Sequence, residues 1–400
     1  MIQRALRISG IVAINCIIII ALLEGLLRWA VPVLPPSLQI SANWVLTGQP
    51  YSDTWTPAWQ QNRDHYYALR PGITDELQYG SPRVRFSLTT TELWDGGGIG
   101  FRTDPVDFAV DAVVVGDSFG FCFVERADCW VDQFAQQSGL GTVNLSQPVT
   151  GSTSHYRILR DFGAPLQPPL VIWQFFGNDF NEDYGLAVFR EEIAPIADDS
   201  AAPDDAPATT GWHQWLRRHS VAYAVAQTAI TGEFEGFAAS EADFHKPYRV
   251  TYGADDEHLL IFGSRYEQVA LDMTRRDNQI GYQQSRTAFQ QAQTLIADWD
   301  GQMVVVLIPT REEVYAHLTR PYLGQATLDD LRSARVAMHE LCAELDLTCY
   351  DPIDIFTARA QAGEALYHVD DMHLNAHGNA VLATALQAWL QADGVIDTGD

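Results

Sequence analysis

Lysine is almost missing from this chain of 400 residues: Lys246 is the only one, and all basic residues together number 25 against 51 Asp and Glu. The formal net charge of −26 repels phosphate backbones over most of the surface, which excludes nucleic acid as a partner. Cysteine is scarce as well. Five are too few for a disulfide scaffold, and they lack the paired Cys/His spacing of a structural zinc site. No internal repeat is evident. Apolar matter, by contrast, is plentiful: 47% of the residues are hydrophobic and 11% aromatic, enough for one large core or two modest ones, which excludes a disordered chain. The acidic, lysine-poor composition fits salty surroundings and biased base composition equally.

Residues 8–31 are almost wholly apolar and include the run Cys16, Ile17, Ile18, Ile19, Ile20, Ala21, Leu22, Leu23. As a helix rising ~1.5 Å per residue, this segment reaches across a hydrocarbon layer of ~30 Å. Arg4 and Arg7 precede it, and positive charge stays on the cytoplasmic side, so the bulk of the protein is expected outside the cytoplasm. Trp29, Ala30, Val31 and Pro32 offer no small-x-small cleavage site, which favours an uncleaved signal anchor over residues 1–32. Glu24 is costly in lipid; Arg28, one turn later, is its expected partner near the interface. A buried helix of a soluble protein is the alternative. With Cys16 in the anchor, export makes two short-range disulfides, Cys122 with Cys129 and Cys342 with Cys349, one expectation and four unpaired thiols the other.

Residues 33–110 form an irregular, aromatic-rich lead-in with Trp44, Tyr51, Trp55, Trp59, Tyr66 and Tyr67. Such clusters can stack on sugars or sit at lipid headgroups, but they are read here as core. From Asp111 the pattern becomes regular. Strands are expected at Ala112–Val115, 142–145 and Leu170–Phe176, with helices at Trp130–Ser138 and 153–162 ending at Gly139 and Gly163. Residues 185–284 read as an insertion, with an Asp/Ala/Pro-rich linker over 190–210, a helix over 212–230 and a hairpin over 248–270 turning at 254–257. The alternation resumes with a helix over 287–299, a strand over 303–308, a helix over 328–345, the strand Thr348–Tyr350 and a closing helix over 376–390. Five parallel strands with helices on both faces make an α/β, flavodoxin-like, doubly wound sheet spanning residues 111–400.

In such a fold ligands bind beyond the carboxyl ends of the strands. Three polar clusters fall there. Gly116, Asp117, Ser118 and Phe119 follow the first strand, and a serine on that turn is exposed, with backbone N–H groups nearby to receive an oxyanion. Gly177, Asn178 and Asp179 follow Phe176, where the Asn178 carboxamide can donate to the same oxyanion; alone, an Asx turn is the simpler reading. Gly151 stands at the intervening strand-to-helix turn. The third cluster is Asp370, Asp371, Met372, His373, Leu374 and Asn375. A neutral imidazole can take the proton of Ser118, and Asp370, three residues earlier, is expected to fold back on the other ring nitrogen, with Asp371 pointing elsewhere.

Together these residues resemble the SGNH hydrolase superfamily, also called GDSL-type esterases and lipases. Its four signature blocks are matched in order by Ser118, Gly151, Asn178 and the Asp370/His373 pair, and the resemblance covers about residues 111–180 and 300–392. It implies a Ser118–His373–Asp370 triad, an oxyanion hole from the Ser118 and Gly151 N–H groups and the Asn178 side chain, and no cofactor. Phe119 stands where the family name has leucine, and residues 144–150 before Gly151 are less glycine-rich than the usual block. Membrane-anchored members also show segments like residues 307–315, in which Arg311 either receives an anionic substrate group or forms a solvated pair with a glutamate.

The implied reaction is acyl transfer from an acylated small molecule, glycan or lipid. Water as second nucleophile makes the protein an esterase; a sugar hydroxyl makes it an O-acyltransferase of cell-envelope glycans. Hydrolysis is favoured because acetyltransferases resembling this superfamily often carry their Asp-His pair ahead of the serine, and here it follows. Two further readings are a non-catalytic carbohydrate-binding or assembly protein on this fold, and a metal site from His373, His377, Asp370 and Asp371. For His377, beside a helix start, capping or packing is preferred.

Overall fold

The computed structural model describes residues 2–47, 58–81, 84–94, 97–196, 212–231 and 245–396. Tyr51, Trp55 and most of the Asp/Ala/Pro-rich linker lie outside them. The chain divides into two compact units, one of residues 1–57 with 198–243 and one of residues 58–197 with 244–400. The insertion read from the sequence is therefore shared between them.

In the first unit, residues Ile2–Ala30 are helical, followed by Pro36–Thr47, Trp212–His219 and Val221–Thr231. Among the described residues, no helix is long and apolar enough to cross a membrane. Glu24 has Arg28 as its partner, as expected, at 2.7 Å. It has more: its carboxylate accepts from Ser220 Oγ and from the Val221 and Ala222 N–H groups at 2.8–2.9 Å, capping the start of Val221–Thr231. That cap splits the single helix expected over 212–230 into two.

The larger unit opens with two antiparallel pairs absent from the sequence reading: β1 (Trp59–Asn62) with β2 (Tyr66–Leu69), and β3 (Glu76–Ser81) with β4 (Val84–Leu88). Their apolar residues pack with Phe121 and Phe123 into one small cluster, so this part of the lead-in is core. Next come β5 (Ala112–Val115), β6 (Thr142–Asn144) and β7 (Leu170–Phe176). The hairpin β8 (Tyr248–Tyr252) with β9 (His258–Phe262), then β10 (Gln302–Ile308) and β11 (Thr348–Tyr350), complete the strands.

The five-stranded sheet has the order β11-β10-β7-β5-β6 and is parallel throughout. In order of appearance that is 2-1-3-4-5, the flavodoxin-like arrangement, whose switch point lies between its first and third strands. All seven residues of β7 are buried, as a strand covered on both faces requires. Period-two alternation then sorts the side chains. Val114, Ile172, Phe176, Val304 and Val306 join one core with the helices Trp130–Ser138 and Ala376–Ala392. Val113, Val115, Trp173, Phe175 and Val305 join the other with Ser152–Ile158 and Arg276–Ala297.

Helix ends follow local chemistry. Gly139 terminates Trp130–Ser138 at φ 73°, and the Asn375 side chain accepts from Gly378 N–H to start Ala376–Ala392. The helix expected over 328–345 is the part of Ala316–Glu344 beyond a break at Gly324 (φ 78°). Disulfides join Cys122 to Cys129, just beyond the turn after β5, and Cys342 to Cys349, tying that long helix to β11.

The helix Arg276–Ala297 packs on Asp179–Phe189 so closely that a Cβ on Gly281 would stand 1.6 Å from the Phe180 carbonyl oxygen. Backbone cannot yield as a flexible side chain can. Gly281→Ala is therefore expected to destabilise the fold by about 3 kcal/mol or more, read as a lower urea midpoint; an unchanged midpoint contradicts this packing.

Candidate active site

The turn after β5 carries two glycines against which neighbouring side chains pack closely. A Cβ on Gly116 would stand 2.4 Å from Gln174 Oε1, and one on Gly120 would stand 2.2 Å from Ser146 Oγ. Gln174, buried on the adjacent β7, accepts from the N–H groups of Asp117 (2.9 Å) and Gly120 (3.0 Å). Asp117 caps the short helix Ser118–Phe121 by accepting from Phe119 N–H at 2.7 Å. Asn144 Nδ2 donates to the Gly120 carbonyl and Trp130 Nε1 to that of Phe119. Ser118 is thereby fixed at a helix start, where its own N–H has no intrahelical acceptor.

His373 meets this serine from the other end of the chain. Its Nε2 lies 2.7 Å from Ser118 Oγ and its Nδ1 lies 2.5 Å from Asp371 Oδ1. Phe123 stacks on the imidazole at 4.3 Å between centroids, and Phe119 stands at 4.8 Å. Ser118 is only 8% exposed.

The carboxylate is the correction. Asp370, expected from its three-residue spacing, is not the partner of Nδ1; Asp371 is. Asp371 Oδ1 also accepts from the main-chain N–H of His373 at 2.9 Å, an Asx turn that brings the residue two positions back onto the ring. The Asp370 main-chain carbonyl accepts instead from Lys246 Nζ at 3.0 Å. Burial acting alone would raise the Asp371 carboxyl, but His373 beside it outweighs that and holds it far below the usual carboxylate range.

Asn178, 5% exposed, stands at the end of β7. Its Nδ2 donates to Tyr266 Oη at 3.3 Å, and Tyr266 donates to Glu182 at 3.2 Å. Gly151 sits against the helix that follows Asn178: a Cβ there would lie 2.4 Å from the Asp179 carbonyl oxygen. Ser118, Gly151 and Asn178 thus follow the three neighbouring strands β5, β6 and β7 around the switch point.

Arg311 is not solvated. It is 1% exposed, donates through Nη1 to the Asp371 carbonyl at 2.9 Å, and pairs with Glu312 (3.1 Å) and Glu267 (3.5 Å). His377 pairs with Glu364 at 2.6 Å, and among the described residues no group of three or more His, Cys, Asp or Glu is placed to hold a metal. Both nitrogens of His373 are already engaged by Ser118 and Asp371.

Behind the site lie further buried acids. Burial pushes Glu182 and Asp183 each up to about 7, and burial with neighbouring carboxyls raises Asp179 well above its ordinary range. Asp183 accepts from Ser285 Oγ (2.6 Å) and Thr153 N–H (2.8 Å); Asp179 accepts from Ser152 Oγ (3.0 Å). His155, buried beside Asp179, is pushed down to about 3 by burial and is neutral.

No family model matches the chain, and no curated protein matches it. Among solved structures it is similar to the lipase/acylhydrolase from Enterococcus faecalis, at 11% identity over 73% of this chain and 100% of that one, TM-score 0.37. It is similar also to an acetyl xylan esterase, at 11% identity over 70% and 98%, TM-score 0.35. An alpha/beta hydrolase enzyme from the metagenome of Lake Arreo, Spain, gives 12% identity over 73% and 99%, TM-score 0.37. The fold is defined by the chain's own strand order.

Two outcomes follow from this geometry. Asp371→Asn is expected to slow the reaction of Ser118 with a fluorophosphonate by about 10⁴-fold while Asp370→Asn stays near wild type, because only Asp371 fixes the ring tautomer; the labelling rates of the two variants decide, and the reverse order restores Asp370. The second concerns pH. An acid raised in the fold holds its proton where the unfolded chain has released it, so Asp183 withdraws stability as pH climbs from about 4 to about 7. The stability of Asp183→Asn relative to wild type should therefore rise across that window by at least about 1.4 kcal/mol in urea unfolding; a pH-independent difference removes the claim.

Proposed function

We propose that the chain is a serine esterase of the SGNH type, working through Ser118, His373 and Asp371. The contact of Ser118 Oγ with His373 Nε2 at 2.7 Å, with Asp371 on Nδ1, carries the reading. Ser118 Oγ attacks an ester carbonyl as its proton passes to Nε2, and the imidazolium formed is stabilised by the Asp371 carboxylate. The Ser118 and Gly151 N–H groups and Asn178 Nδ2 receive the oxyanion. His373 then protonates the leaving alcohol, and water, deprotonated by the same ring, releases the acid from the acyl-serine.

The substrate is an acylated small molecule, glycan or lipid on the outer side of a membrane to which residues 1–32 anchor the protein. Supporting that placement are the two disulfides, which persist in oxidising compartments, and Arg4 and Arg7 ahead of the apolar run. Ile18, Ile19, Ile20, Leu22, Leu23 and Leu26 are exposed along its helix, while Glu24 has its partners within the protein.

The test is hydrolysis of 4-nitrophenyl acetate by the full chain, alone and with a glycan acceptor. Ser118→Ala should lose turnover by ~10⁴–10⁶-fold and Asn178→Ala by ~10²–10³-fold with folding intact. Comparable turnover in Ser118→Ala overturns the assignment, and acetyl product on the glycan in place of free acetate overturns hydrolysis.

A further inference from the structure

The loop that carries Asp371 and His373 has little regular structure of its own. A bridge joins Tyr367 to Leu374 and the His368 N–H donates to the His373 carbonyl at 3.0 Å, whereas the carbonyls of residues 369–371 are satisfied from elsewhere. Three successive carbonyls are held by three donors. Ile261 N–H, on β9, donates to Val369 O at 2.8 Å; Lys246 Nζ donates to Asp370 O at 3.0 Å; Arg311 Nη1 donates to Asp371 O at 2.9 Å. Two of the three come from the segment at residues 244–271, which the sequence presents as an appendage to the sheet.

The donor in the middle is the only lysine of the chain. It is half-buried, and the charged groups around it are Glu267 on the helix Arg265–Ala270, Arg311 and Glu312 on Arg311–Val314, and Asp370 and Asp371 on the loop itself. Both terminal nitrogens of the Arg311 guanidinium are engaged, Nη1 by the Asp371 carbonyl and Nη2 by Glu312 and Glu267. Lys246 is the side chain that donates to the Asp370 carbonyl. Rotating that peptide would turn the following residue, Asp371, away from Nδ1.

We propose that Lys246 is a positioning residue of the active site: it pins the Asp370 carbonyl between the Ile261 and Arg311 contacts and so presents the Asp371 carboxylate to His373. It acts through the Asp370 carbonyl and not on the reacting atoms themselves. Its ammonium also adds one positive charge near the imidazole. The inference rests on the esterase reading for its kinetic arm alone.

The experiment compares full-length wild type, Lys246→Met and Lys246→Arg on 4-nitrophenyl acetate across pH. Lys246→Met is expected to lose kcat by about 10²-fold with KM nearly unchanged, the scale of an ångström misplacement, and Lys246→Arg to recover most of it. The acidic limb of its kcat/KM profile should move to higher pH, since removing a nearby positive charge favours the protonated base. A structural role alone would scale kcat without moving the limb. Wild-type kcat and profile in Lys246→Met overturn the proposal.

Should Lys246→Met fail to fold, folded wild type serves. Amine acetylation can reach only Lys246 and the N-terminal amine, whereas reductive methylation of the same groups keeps the charge. Acetylation should reproduce the loss in wild type and spare Lys246→Arg, and methylation should preserve activity; equal inactivation of Lys246→Arg overturns the proposal. If wild type turns over no ester, the esterase reading fails and this inference is judged by proton NMR. The downfield resonance of the His373–Asp371 hydrogen bond should be sharp in wild type and Lys246→Arg and lost in the acetylated wild type. An unchanged resonance after acetylation overturns it.

Discussion

The imidazole of His373 must be held at both nitrogens at once, by Ser118 from the turn after β5 and by Asp371 from its own loop. Neither segment is fixed by an extended ladder of hydrogen bonds. In a chain poor in basic residues, buried or half-buried cations take over that task. On the serine side, Arg102 is 2% exposed and donates to the carbonyls of Phe121, Cys122 and Val124 while lying over the rings of Phe86 and Phe121. On the acid side, Arg311 and Lys246 act on the carbonyls of Asp371 and Asp370. Bonds from charged donors contribute about 1.5–3 kcal/mol each, more than neutral ones, which suits them to holding loops.

The parts of the chain outside the five-stranded sheet are tied to the site by the same contacts. The lead-in supplies Arg102 and the cluster of Phe86 with Phe121 and Phe123, whose last member stacks on His373. Gln147, in the loop after β6, fixes the lead-in from the other side by accepting from Leu69 N–H at 2.7 Å and donating to the Gly100 carbonyl at 3.0 Å. Residues 244–271 supply Lys246 and the Ile261 N–H to the acid loop, and Tyr266 to Asn178. The sheet places the strand ends; these additions fix the side chains beyond them.

Much of the fold was legible. Leu170–Phe176 reads as a strand covered on both faces and is one, and Trp130–Ser138 with its glycine stop is a helix with those bounds. The paired strands of the lead-in were not legible because they are short, polar on one side and interrupted by turns. The length of Ala316–Glu344 was not legible because Pro321 lies within it and Gly324 breaks it with a kink. In the site, Ser118, Gly151 and Asn178 each sit at the end of a strand or the start of a helix, where local pattern is informative, and His373 lies in the short loop before the closing helix. Tyr266 and Lys246 carried no such signal.

Sequence alone determined what is local. The two-residue and 3.6-residue periods set the order of strands and helices, the Gly-Asp-Ser turn set the serine at a strand end, and the chain order set the parallel topology. Tertiary structure decided which of two adjacent aspartates faces the histidine. A spacing of two or three residues permits either, and the choice depends on which carbonyls of the loop are held, by Lys246 from 124 positions away and Arg311 from 60. Contacts at that separation leave no periodic trace in the chain; they exist only once the sheet has brought its two halves together.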